Sequence, residues 1–140
     1  MTAFETPFRE MSEFPQMREQ LQKSGRAISI SGCVDSQKLH MVYGLSEGFR
    51  YKLLVTYSEL RAKELYEDYQ LYDRNVMLYP AKDLIFYQAD VHGNRLTMER
   101  MKVLKRILEG TPVTVVTTFA GLMAAQAPLS SLEAGVVHGR

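Results

Sequence analysis

Short apolar runs alternate with longer amphipathic stretches along this chain, the pattern of a parallel α/β sheet rather than of a helical bundle or a β-sandwich. Four runs read as strands. Ala27 to Ser31 is the first, ended by Gly32. Lys52 to Thr56 carries Leu53, Leu54 and Val55 in succession, which predicts a central strand buried on both faces. Val76 to Tyr79 is the third, halted by Pro80, and Pro112 to Thr117 the fourth, favoured by the β-branched Val113, Val115 and Val116.

Helical periodicity fills the spaces between. Ser36 is placed as the cap of a helix running to Gly48, with Leu39, Val42 and Tyr43 toward the sheet and Gly48 as its left-handed exit. Ser58 caps a second, to about Tyr72, whose Ala62, Leu65, Tyr69 and Tyr72 recur on one core-facing side. Asn94 is taken as the cap of a third, closed by Gly110-Thr-Pro112, with Met101, Leu104 and Leu108 as its stripe and Val103 and Ile107 beside it. Ahead of the first strand, Phe8, Met11, Phe14, Met17 and Leu21 predict one or two helices broken at Pro15 and laid on the sheet edge.

Composition narrows the picture. A chain of 140 residues, 46% hydrophobic, is sized for one domain with a substantial core. The expected division is N-terminal helices over 1–25, an α/β core over 26–127 and a tail over 128–140 that leads toward a missing next domain. Seventeen Lys+Arg against sixteen Asp+Glu leave a net +1, so any DNA contact must come from a local patch. One cysteine, Cys33, excludes an internal disulfide, and His40, His92 and His138 lack metal-ligand spacing. No run approaches the roughly 20 apolar residues of a membrane span, and a cytoplasmic location is expected.

The segment after the first strand carries the one motif with chemistry to discuss. A phosphate-binding loop reads G-x-x-x-x-G-K-[ST], its glycines letting backbone N–H groups close on phosphate, its lysine neutralising charge and its hydroxyl holding magnesium. Here Gly32 and Lys38 stand in place, but Gln37 occupies the second glycine position and Leu39 the hydroxyl position. Asp35 adds a carboxylate where phosphate would lie. Gly32, Ser36 and Lys38 are therefore read as the remnant of a nucleotide site. Two uses of the remnant stand: a weak anion site at a helix N-terminus, and, preferred, capping of that helix by Asp35 and Ser36. The expected fold is α/β, a three-layer α/β/α arrangement with a mainly parallel sheet of four or five strands. It would be P-loop-NTPase-like (RecA-like) with a degenerate loop.

The order of segments points further. Gly32 to Lys38, Leu53-Leu-Val-Thr-Tyr-Ser58, Glu64-Leu-Tyr-Glu-Asp68, Tyr79-Pro80, Asp83 to Tyr87, Arg100-Met-Lys-Val-Leu104 and Val113 to Thr118 together resemble the extreme N-terminus of bacterial transcription-repair coupling factors over about residues 10 to 130. The resemblance implies the first lobe of a module related to the excinuclease protein UvrB. It implies a retired phosphate loop and no damage-probing hairpin, since only seven residues separate Tyr87 from Arg95. In that family the full-length protein displaces stalled RNA polymerase, recruits the excinuclease protein UvrA in nucleotide excision DNA repair, and translocates on DNA with an ATP-driven motor outside this segment. The UvrA contact surface would lie past Arg140. The implied partners are other domains of the same protein and, through it, RNA polymerase, the excinuclease protein UvrA and DNA. No catalytic residue, cofactor or metal is expected in this chain.

Remaining features weigh toward structure. The tyrosines 66, 69, 72 and 79 with Phe86 and Tyr87 offer a base-stacking platform, but Tyr69 and Tyr72 sit at core spacing. Arg95, Arg100, Lys102, Lys105 and Arg106 share one helix and could meet phosphate, although a solvated face is the commoner use. His40 and His92 have no evident catalytic partner, and Cys33 reads as a small residue in a turn. The leading expectation is a non-catalytic scaffold and interaction domain. The alternatives are a divergent nucleotide-binding P-loop domain, weakened by a Val113 strand that ends in threonines rather than acids, and a small nucleic-acid-binding module.

Overall fold

The structure, a computed structural model, describes residues 3–23, 25–81 and 91–123, with side chains described for all of these except 91–95. A 3-10 helix over Thr6–Glu10 leads into α1 (Phe14–Gln22), α2 (Asp35–Leu45), β1 (Tyr51–Thr56), α3 (Glu59–Tyr69), β2 (Val76–Leu78), α4 (Val91–Leu108), β3 (Val113–Thr118) and α5 (Phe119–Met123). The strands make one all-parallel sheet in the order β1-β3-β2. Tyr51 lies opposite Val113, and Val76 opposite Thr114. The α/β class is as expected.

Burial follows the alternation of side chains along each strand. Even-numbered positions Leu54, Val76, Leu78 and Val116 point to one face, where Leu39 of α2 and Ala62 and Tyr69 of α3 close over them. Odd-numbered positions Met77, Tyr79, Val113 and Val115 point to the other, against Val103 and Leu104 of α4. Helices thus lie on both faces, and β3 in the middle is buried at every residue. A third cluster joins Phe8 and Phe14 to Met41 and Leu45 of α2, with Met17 and Leu21 packed against it.

Several expectations are corrected. Residues 26–31 form no strand and are mostly exposed, so among the described residues the sheet has three strands rather than four or five. The Ile28-Ser-Ile30 alternation is a strand signal only if a neighbour takes its hydrogen bonds. β1 is present where expected but is an edge strand with Leu53 55% exposed; the two-sided burial belongs to β3. Three consecutive apolar residues look alike in a central strand and in an edge strand whose outer face is uncovered.

The helices agree better. Ser58 caps α3, its hydroxyl accepting from the Arg61 N–H at 3.2 Å. Gly110 adopts the left-handed backbone just past α4, while Gly48, also left-handed, lies beyond the end of α2, which stops at Leu45 with Ser46 as its cap instead of running to Gly48. Asn94, by contrast, lies inside α4, which begins at Val91. In α4 Val103 and Leu104 face the core, while Leu108 is 43% exposed. Pro15 starts α1 instead of breaking a helix, because the first turn tolerates a missing N–H. The N-terminal helices pack on α2, not on the sheet edge.

Gly44 explains that last contact. It is buried directly under Phe8, whose ring fills the space a Cβ would need, so the absence of a side chain on α2 lets the N-terminal segment lie flat. Phe86, Tyr87 and the 128–140 tail lie outside the described residues.

Candidate functional site

The segment from Gly32 to Lys38 leads into the start of α2. Gly32 keeps a left-handed backbone (φ +81°), which glycine adopts without steric cost. The residues that follow do not complete a phosphate loop. Val34, in extended conformation, is the N-cap, and its N–H donates to Gln37 Oε1 at 3.2 Å. Neither Asp35 nor Ser36 is the cap, so the preferred capping reading is corrected in its residues: Gln37 reaches back to satisfy the free N–H instead. Ser36 sits exposed in the first turn.

Asp35 does something else. One carboxylate oxygen pairs with Lys38 Nζ at 3.2 Å, the other with Arg61 of α3 at 3.3 Å, and Arg61 also pairs with Glu64 at 3.0 Å. The hydrogen bond to Glu64 holds the Arg61 guanidinium above its already high pKa, partial burial works against this, and Asp35 adds to the rise. These four residues line a shallow cleft with Tyr57. Two cations face two carboxylates, so the cleft offers an incoming phosphate no net positive charge. Such an exposed network adds little to stability.

At the carboxyl ends of the strands, where open α/β sheets bind ligands, the polar groups are largely engaged with one another. Thr118 Oγ1 donates to Glu59 Oε1 at 3.1 Å and accepts from the Gly121 N–H at 3.0 Å; the same carboxylate oxygen accepts from the Ala81 N–H at 2.9 Å. Thr117 Oγ1 donates to the Tyr79 carbonyl at 2.9 Å. Arg100 donates through Nε to the Pro80 carbonyl at 2.9 Å and stands over the Tyr79 ring. The threonines that end β3 tie the rim of the sheet together.

The side chain of Arg95 lies outside the described residues, and the described cations of α4 are likewise occupied. Lys102 pairs with Glu99, Lys105 with Glu109, and Arg106 donates to Asn75 Oδ1. The tyrosines divide: Tyr69 is fully buried, Tyr66 and Tyr72 pack on its cluster, and Tyr79 closes the α4 side. None of these forms an open stacking platform. His40 sits among Phe4, Phe8 and Tyr72, its ring nitrogen bonded to the Phe4 carbonyl at 2.5 Å. His92 falls on α4, outside the described side chains. Cys33 is a half-buried free thiol. Among the described residues no cluster of His, Cys, Asp and Glu could hold a metal ion, and no helix is long and apolar enough to cross a membrane.

One surface went unread in the sequence. Tyr51, Leu53 and Val55 of β1 stand 46%, 55% and 38% exposed on the odd-numbered face, where α4 covers only β3 and β2. A groove of about 460 Å³ opens there between β1, α4 and Leu122 of α5, and the Tyr51 hydroxyl crosses it to the Ile107 carbonyl. Its signal was the recurrence of large apolar residues at every second position, Tyr51, Leu53 and Val55, which a strand turns to one face; Leu54 between them belongs to the other.

No protein-family model, curated protein or solved structure matches this chain. Function therefore rests on the residues themselves.

Proposed function

We propose that this chain is a non-catalytic scaffold domain of a transcription-repair coupling factor, the first lobe of its UvrB-like module and a P-loop-NTPase relative with a retired loop. It acts in transcription-coupled nucleotide excision repair by docking other domains of the same protein, without turnover of its own. Through that protein it serves the engagement of RNA polymerase, the excinuclease protein UvrA and DNA in the cytoplasm. The observation that supports the non-catalytic part is the Lys38–Asp35–Arg61–Glu64 network, which pairs Lys38 and Arg61 with carboxylates. The resemblance in segment order carries the rest.

The test has two arms. Titrating the chain with magnesium and ATP while following thermal stability should give no shift, whereas a ligand at about a hundred times its Kd would add nearly 3 kcal/mol. A magnesium-dependent shift abolished by Lys38→Ala would overturn the retired-loop reading. Calorimetric titration of the chain into a coupling factor lacking its first lobe should show saturable binding. Its absence would sink the scaffold assignment.

A further inference from the structure

The N-terminal segment and the sheet are packed as separate bodies. Phe8 and Phe14 join Met41 and Leu45 of α2 in a cluster of their own, apart from the two clusters that cover the sheet, with Tyr43 touching both it and the even-numbered face. Among the described residues, the backbone-to-backbone hydrogen bonds of residues 3–23 stay within the segment or pass to Arg26 just beyond it. The stretch from Arg26 to Val34 that connects the segment to α2 forms no helix or strand and is mostly exposed. A connection of this kind can move without disturbing a core.

The seat of the segment is narrow. Phe8 lies on the bare backbone of Gly44, and two clefts, of about 430 and 320 Å³, border the same ring. Close packing there centres on one ring and one glycine. At the rim, His40 Nε2–H donates to the Phe4 carbonyl at 2.5 Å, Phe4 and His40 both lie against the Tyr72 ring, and Arg18 pairs with Glu47 at 3.2 Å. The ion pair is partly exposed and adds little.

We propose that residues 3–23 are a strap that leaves and rejoins α2 as one unit while the sheet stays folded. Gly44 is its latch. Glycine weakens a helix relative to alanine, and what it provides here is a flat seat for Phe8. Opening uncovers Met41 and Leu45, 6% and 5% exposed in the closed chain, together with the Phe8 and Phe14 rings. The chain thus hides an apolar surface in one state and presents it in the other.

Thiol labelling of the intact, folded chain tests this. On a Cys33→Ser background, Met41→Cys should react at least about a hundredfold faster than Val116→Cys, because position 41 opens with the strap while position 116, fully buried over the sheet, waits for global unfolding. Val76→Ala, which loosens the sheet core, should speed position 116 about tenfold and leave position 41 unchanged, since closed and open straps share that core. Phe8→Ala should speed position 41 about a hundredfold. Gly44→Ala decides between strap release and fraying of α2: its Cβ enters the space of the Phe8 ring, so release becomes faster, whereas alanine would slow fraying. Hydrogen exchange on the unaltered chain gives a second reading, with α1 amides exchanging well ahead of those of β3. Equal labelling at positions 41 and 116, equal acceleration of both by Val76→Ala, no acceleration at position 41 by Phe8→Ala or Gly44→Ala, or α1 amides as protected as those of β3 would each overturn the proposal.

Discussion

The two faces of this sheet use the same three strands and end in different states. On the even-numbered face Ala62 and Tyr69 are completely buried over Val116, and α2 and α3 together cover the sheet. On the odd-numbered face Val103 of α4 is as deeply buried, yet Tyr51 and Leu53 of the neighbouring strand remain about half exposed. Both faces are apolar. What separates them is the number of helices laid across, so strand chemistry alone does not decide burial.

Removing the keystone of the closed face should break the comparison most sharply. Tyr69→Ala deletes a fully buried ring among Leu39, Ala62, Val76 and Val116 and should cost about 3–5 kcal/mol, the range for a buried aromatic. Denaturant unfolding would show it as a lower midpoint. A cost below about 1 kcal/mol would mean that the closed face is no tighter than the open one.

A subtler change sharpens the contrast. The Tyr69 hydroxyl is buried with no hydrogen-bond partner among the described residues. Burial raises its pKa above the usual value, the Asp73 charge adds to the rise, and the nearby Ser46 and Thr114 hydroxyls oppose it. Because the folded value lies above the unfolded one, this contribution is fully present below about pH 10 and is lost as pH climbs through the folded pKa. Tyr69→Phe should therefore be neutral or gain about 1 kcal/mol at neutral pH. It should also flatten the decline in stability above about pH 10. A loss on this substitution, read by thermal unfolding across pH, would show that the hydroxyl has a partner.

The smallest effect belongs to the open side. Leu122→Ala trims a 45%-exposed side chain in the groove and should change stability by less than about 1 kcal/mol, again by denaturant unfolding. A larger loss would mean that the groove is closed in solution.

Legibility in the sequence followed the range of the interaction. The Ser58 cap and the Ala62–Leu65–Tyr69 stripe were readable because each is settled within one helical turn or a few. The Val113–Thr118 strand was readable from its β-branching. That the segment after Gly32 departs from a phosphate-loop pattern was readable from Gln37 and Leu39 alone. That Asp35 binds Arg61 from the next helix was not, because the two residues meet only after β1 has brought α3 beside α2. Asn94 and Pro15 misled in opposite senses: Asn94, read as a helix start, lies inside α4, and Pro15, read as a break, stands in the first turn of α1, because neither residue type by itself fixes its position in a helix.

By itself, then, the sequence determined the α/β class, the approximate position of α2, α3, β1, β2 and β3, and the departure of the segment after Gly32 from the phosphate-loop pattern, because capping, periodicity and residue chemistry act locally. Tertiary structure alone decided that β3 rather than β1 is central, that residues 26–31 do not join the sheet, that Asp35 of α2 pairs with Arg61 of α3, and that Gly44 makes room for Phe8. Strand order and helix coverage arise from contacts between residues far apart in the chain, and a hydrophobic pattern records that a face must be covered without recording what covers it.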